Sequence, residues 1–375
     1  MKRLLPELCD IQYGYAFDSK LFSTSKGVPL ARIRDVVRGY SETYTEEDFP
    51  EKYIIQNGDI LIGMDGEFNI ARWKGGCAAL NQRVCRLIPH ADIDDRYLFY
   101  AMPSKLKAIE DKTPFVTVRH LSAPKLNAIE IRLPPFEQQR AEADRLDAIN
   151  NSIALCEKIL LKTDSLVKSR FIEMFGEPNE MDKWPCYKIE DIADVTVGLV
   201  IKPTRFYTED AENGIKAFRS LNVREMHVND SDWVYFSEEG NEQNKKSQLQ
   251  KGDVLVVRSG YPGTSCVVTD EYVGCNAIDI MIARPKQDKI NPYYLCAFNN
   301  FPHGMNQIRH GTGGAAQKHF NVGAYNKVTI PVPPMELQDS FVEFMQLADK
   351  SKLTIQKSIE ALQTLKAKLM QEYFG

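Results

Sequence analysis

The chain has 375 residues, 43% of them hydrophobic and 26% charged, the make-up of an ordinary folded protein with more than one domain and not of a disordered or fibrous one. Lys plus Arg number 47 against 51 Asp plus Glu, so the formal charge of −4 excludes a polycation that coats nucleic acid and leaves room for a local binding surface. No stretch approaches the roughly 18 consecutive apolar residues of a membrane span, and Met1–Pro6 lacks a signal-peptide core, so a cytoplasmic protein without membrane contact is expected.

In chain order, Ile54-Ile55, Ile60–Ile62, Val84–Ile88 and Ile129–Leu133 read as strands, and Arg96–Ile109 begins as a helix. Pro134-Pro135 stops the last strand, because proline has no N–H for a ladder. A long helix follows, with Glu137 in its first turn and no glycine or proline until Gly176-Glu177-Pro178. Its apolar residues recur at alternating steps of three and four: Leu146, Ile149, Ile153, Cys156, Leu160, Val167 and Met174, interrupted by Thr163 and Arg170. Beyond it, Val254–Val257 and Val328–Val332 read as strands, and Asn291–Arg309 begins as a helix. Pro333-Pro334 opens a second long helix, with a seam of Met345, Ala348, Ile355, Ile359, Leu362, Leu369 and Tyr373 broken by Lys352 and Lys366.

These elements repeat. Thr113–Gly176 aligns without a gap to Thr312–Gly375, pairing His120 with His319, Asn127 with Asn326, Pro134-Pro135 with Pro333-Pro334, and Gln139 with Gln338. Upstream, Leu8–Gly14 matches Ile192–Gly198, Gly58–Leu61 matches Gly252–Leu255, and Asp65-Gly66 matches Ser259-Gly260. Arg38–Glu51 and Thr208–Lys216 have no counterpart, so the two globular parts share a scaffold and read different things. The expected architecture is α+β. Two globular mixed α/β units, 1–135 and 178–334, are separated by two long antiparallel helices, 136–177 and 335–375, as a coiled-coil spacer with pseudo-twofold internal duplication. Forty residues at about 1.5 Å each make every helix a rod of ~60 Å.

Catalytic signatures do not survive inspection. Gly311–His319 resembles a phosphate loop but lacks the glycine before the lysine and the hydroxyl residue after it, and its counterpart at Asp111–Phe115 has no glycine. Asn291-Pro292-Tyr293-Tyr294 falls one proline short of the motif with which amino-methyltransferases hold an extruded base, and its copy at Asp94–Tyr97 does not keep it. The eight cysteines show no CxxC spacing and the six histidines complete no zinc site, so no metal, cofactor or catalytic residue is expected.

The two helices open with Leu133-Pro134-Pro135-Phe136-Glu137-Gln138-Gln139 and Val332-Pro333-Pro334-Met335-Glu336-Leu337-Gln338. With the Gly-Asp-Ile/Val-Leu runs, Asn81-Gln82-Arg83 and the duplication, the whole chain resembles the specificity subunit of type I restriction–modification systems. That resemblance implies a non-catalytic reader of double-stranded DNA. Its globular units would be target recognition domains, each reading half of a bipartite asymmetric site. The helices would set the spacer and dock two adenine-N6 DNA methyltransferase subunits, which restriction/translocase subunits join. S-adenosylmethionine would belong to the methyltransferase, and ATP and Mg²⁺ to the nuclease. The competing reading is a two-domain coiled-coil adaptor without nucleic acid, which the slightly acidic charge favours.

Arg, Asn, Gln and Tyr in loops between strands make base-edge and phosphate contacts. On that basis the DNA-binding candidates are Tyr13, Tyr15, Arg32, Arg34, Arg72, Asn81, Gln82, Arg83 and Arg119 in the first unit. In the second they are Lys202, Arg205, Arg219, Asn222, Arg258, Tyr261, Asn276, Lys318 and His319. A near-neutral reader is expected to bind DNA weakly alone and to need partners that enclose the duplex.

Overall fold

The computed structural model describes residues 1–112, 119–178, 180, 183–311 and 320–375. The chain forms two compact units: Met1–Glu157 with Gln356–Gly375, and Lys158–Ile355.

Unit 1 is built on four antiparallel strands, β1 (Cys9–Tyr13), β2 (Ile60–Gly63), β3 (Ile70–Arg72) and β4 (Val84–Pro89), in the order β1-β4-β2-β3. All four residues of β2 are buried, because both faces of the sheet are covered. Ile60 and Ile62 enter a core with Tyr97 and Leu98 of helix α1 (Asp95–Asp111), whereas Leu61 points the other way, into a core with Ala31, Trp73 and Val84. Period-2 alternation thus serves two cores at once.

Unit 2 repeats the plan with β5 (Ala193–Val197), β6 (Val254–Val257), β7 (Ser265–Val267) and β8 (Ile280–Pro285), in the order β5-β8-β6-β7. Val254 and Val256 face helix α3 (Pro292–Asn300), and Leu255 and Val257 face a second core with Phe218 and Tyr272. Each unit also carries a second sheet with one parallel pair, five-stranded in unit 1 with Leu30 beside Ala79 and four-stranded in unit 2 with Ala217 beside Asn276. Although Arg38–Glu51 has no counterpart in sequence, its strand Tyr44-Thr45 occupies the place that Val234–Phe236 holds in unit 2.

The repeated motifs are framework. In Gly58-Asp59 the glycine takes φ +97° and the Asp59 carboxylate accepts from Gln56 N; Gly252-Asp253 does the same at φ +84° with Gln250 N. The motif glutamines are buried staples. Gln139 accepts from Asp94 N and donates to Pro134 O, as Gln338 accepts from Asn291 N and donates to Pro333 O. Each ties the start of a long helix to the start of a short one.

The long helices are α2 (Phe136–Phe175) and α4 (Met335–Phe374). Each begins in one unit and ends in the other. Within unit 1 the end of α4 meets the beginning of α2, where Arg145 donates to the Tyr373 hydroxyl and Phe374 packs on Tyr97. Within unit 2 the end of α2 meets the beginning of α4, Phe171 packing on Phe341. The helices therefore run antiparallel inside each unit. Lys352, a polar break in the seam, is tied to Asp164 of the facing helix at 3.0 Å. Arg170, another break, lies over the Phe344 ring.

One expected helix is divided. Asn291–Arg309 contains α3 and a separate helix, Pro302–Gly311, with Phe301 extended between them, because Pro302 has no N–H and pushes its predecessor out of the helical region. The Asn291–Tyr294 run is a helix start: Asn291 caps α3 through Tyr293 N, and the Tyr294 hydroxyl donates to Pro331 O. No described helix is long and apolar enough to cross a membrane.

Candidate nucleic-acid interface

In each unit the chain leaves the four-stranded sheet over a glycine. A Cβ on Gly14 would lie 2.0 Å from Asn81 O, and one on Gly198 would lie 2.4 Å from Ala277 O, so only glycine lets the strands pass this closely. Beyond the crossing, Tyr15 bridges Asn81 and Leu199 bridges Ile278, in parallel in both cases. The same end of the sheet is closed by the β2–β3 turn in unit 1 and the β6–β7 turn in unit 2, with Gly66 and Gly260 at φ +76° and +83°.

Most of the expected residues of unit 1 meet at this edge. Tyr13 ends β1, Tyr15 follows the crossing, and Asn81, Gln82 and Arg83 form the approach to β4. Asn81 is nearly buried and its N–H reaches Ala31 O, which places Arg32 beside it. Arg32 stands at the N-cap position of the helix Ile33–Arg38, its backbone N–H donating to the Asp35 carboxylate, and exposed Arg34 donates to the Thr43 hydroxyl. Arg119 joins through its carbonyl, which accepts from Gly66 N at 2.9 Å.

The charges at this edge are restrained. Asp65 accepts from His120 Nδ1 at 2.6 Å and stands 3.5 Å from Arg83 Nε. Arg119 pairs with Glu110 at 2.9 Å. The Asp65–His120 contact was not legible in sequence, because His120 reads there only as a repeated position.

Unit 2 gathers the equivalent set. Lys202 and Arg205 follow the crossing, Arg219 stands at the N-cap position of the 3-10 turn Ser220–Asn222 as Arg32 does at its helix, and Tyr261 stands on the β6–β7 turn. Arg258 donates to Asp279 at 2.6 Å and to Phe320 O at 3.3 Å. Lys318 and His319 lie outside the described residues.

Three of the expected residues lie away from the edge or inside a core. Arg72 lies at the opposite end of β3 from the turn, opposite Ile60, where it pairs with Asp95 at 2.9 Å and stacks on Phe99; it seals sheet to helix. Asn222 is fully buried and accepts from Arg219 N, the job Asp35 does under Arg32. Asn276 is fully buried at the start of the strand Asn276–Ala277, donating to Asn241 and accepting from Ser247. A composition-based choice of loop polars cannot separate such capping groups from surface ones.

The interior offers little chemistry. Burial pushes the Cys9, Cys85 and Cys296 thiols up to about 12, which favours the protonated form at neutral pH. Among the described residues no group of three His, Cys, Asp or Glu side chains is placed to hold a metal ion.

The family described as type I restriction modification DNA specificity domain matches residues 1–162 and 181–364. The type I restriction enzyme EcoBI specificity subunit of Escherichia coli is 27% identical over 99% of this chain and 84% of its own. The MjaVIII specificity subunit of Methanocaldococcus jannaschii is 22% identical over 91% and 87%. A solved chain described under complex assembly and conformational transition of the type I R-M system superposes with a TM-score of 0.66 at 17% identity, covering 100% of this chain and 97% of that one. The type I S subunit from M. genitalium does so at 0.53 and 15%, covering 100% and 96%.

Proposed function

This chain belongs to the type I restriction modification DNA specificity domain family, and from that premise we propose that it is the DNA-reading subunit of a type I restriction–modification complex. Each unit reads one half of a bipartite asymmetric site with the sheet edge described above. Helices α2 and α4 set the distance between half-sites and dock two adenine-N6 methyltransferase subunits, to which restriction/translocase subunits attach in the cytoplasm. Chemistry resides in those partners. A base is methylated only when flipped out of the duplex, and that pocket lies on the methyltransferase.

One observation carries the reading. The same sheet edge, built twice on the same glycine crossing, presents Arg32, Gln82 and Arg83 in one copy and Arg219, Lys202 and Arg205 in the other. A constant frame with variable donors is what two different base sequences require. The carboxylates at the edge, Asp65 and Asp279, oppose phosphate until a partner encloses the duplex.

The test is a single-base map of N6-methyladenine in the host genome with the gene intact and deleted. Loss of methylation on both strands of one bipartite motif is the expected result. An unchanged map, together with purification free of any methyltransferase, would favour the adaptor reading.

A further inference from the structure

The two edges differ in one respect that base reading does not explain. In unit 1 the second residue after the crossing bridge, Phe17, is tucked inward with 6% of its surface exposed, packing edge-on against Tyr15 and Phe49. In unit 2 the equivalent residue, Ile201, is 74% exposed. On the neighbouring turn, unit 1 carries exposed Glu67 where unit 2 carries Tyr261, 84% exposed.

The backbone holds these side chains out. Lys202 sits at φ +48°, a left-handed conformation that a residue with a Cβ seldom adopts, and it directly precedes Pro203, which disfavours helical geometry further. Leu199 N, bonded to Ala277 O at 2.8 Å, anchors the near side of the loop. Tyr261 is fixed between Gly260 and Gly263, both at positive φ, with Gly263 N bonded to Val257 O at 3.0 Å. The sheet order places the ends of β5 and β6 two strands apart, about 10 Å. Strained loops that present apolar side chains to water persist where the exposed group has a use. Here the flanking groups are the exposed Lys202 and Arg205, the chemistry of a phosphate backbone.

We propose that Ile201 and Tyr261 form an apolar wedge that enters the base stack of the half-site read by unit 2. The wedge unstacks one base step and bends the duplex there, while the half-site read by unit 1 stays stacked. Apolar wedges of this kind partly unstack a step and kink DNA. Pyrimidine–purine steps yield most easily, so unit 2 selects such a step at a position where it makes no base-edge contact.

This inference rests on the proposed DNA-reading function, and the experiment separates the two. The full chain, assembled with its methyltransferase, is bound to duplexes carrying the mapped motif, with 2-aminopurine placed singly at positions neither at nor adjacent to the methylated adenines, whose flipping unstacks their neighbours. A several-fold rise in fluorescence at one step of the unit 2 half-site, and at none in the other, is expected. Ile201→Ser and Tyr261→Ser should abolish that rise and weaken binding on the order of tenfold. Both should leave the thermal transition unchanged, since neither side chain is buried. A motif with no unstacked step, or a signal that survives both substitutions, overturns the wedge alone. Absence of any chain-dependent motif overturns the proposed function and the wedge together.

Discussion

Past Gly14 the chain turns Phe17 into a small core, and past Gly198 it turns Ile201 out to solvent, although sheet order, crossing and turn glycines are the same in both units. The Gly-Asp turn shows a milder version of the same divergence. In unit 1 Asp59 pairs with Arg86, and in unit 2 Asp253 pairs with Arg284, which stands two residues further along the equivalent strand on the same face. The carboxylate is needed where it is to cap the turn. Its counter-charge can come from either site whose side chain points the right way. Sheet geometry has been kept between the two units and its decoration exchanged.

The largest test of this comparison concerns the cores. Phe171 touches Phe175, Tyr294, Phe301 and Phe341 in unit 2. Phe171→Ala should cost about 3–5 kcal/mol, and denaturant unfolding with separate probes in each unit should show the loss in unit 2. Equal loss in both would mean that the units do not unfold as separate bodies.

Arg83→Ala should weaken recognition of one half-site by about 1–3 kcal/mol and leave the other's base preferences intact, read from the methylation map. Relaxed preferences in both halves would break the assignment of one edge to one half-site.

Asp253→Ala should destabilise by about 1–2 kcal/mol, because it strips a buried cap and leaves Arg284 without its partner. Asp59→Ala, at a more exposed carboxylate, should cost less than about 1 kcal/mol, and thermal melts of the two variants would compare them.

The smallest effect is one of pH. Burial holds the His303 imidazole below its ordinary value, with nearby Glu177 opposing the shift, and its Nε2 lies 2.8 Å from Gly176 O. Its stabilising contribution is complete above the unfolded value of about 6.5 and is lost as pH falls from there through the lowered folded value, because the unfolded chain takes up a proton that the folded one resists. Unit 2 should therefore melt earlier at about pH 5.5 than at about pH 7.5. His303→Gln should flatten that slope.

Much of this was legible in the residues, and the reason differs from element to element. The 3–4 spacing along α2 and α4 is a property of consecutive side chains on a 3.6-residue helix, so it needs no tertiary information. Duplication is likewise a one-dimensional fact, and it exposed the Pro-Pro openings, the Gly-Asp turns and the Gly14/Gly198 pair without showing what any of them does. The break at Pro302 was also written in the chain, although an apolar run on both sides masked it.

Tertiary structure decided which polar residues face out. Arg34 and Arg72, or Arg219 and Asn222, are alike in composition and loop context. Asp95 at the start of α1 makes Arg72 a seal, and burial turns Asn222, which accepts from nearby Arg219 N, into an inward cap. Local sequence determines the path of a helix or turn, because those hydrogen bonds close within a few residues. Burial is set by residues far apart in the chain, such as Asn81 against Gly14 or Phe17 against Phe49, so the sequence alone could propose the edge residues and the fold had to choose among them.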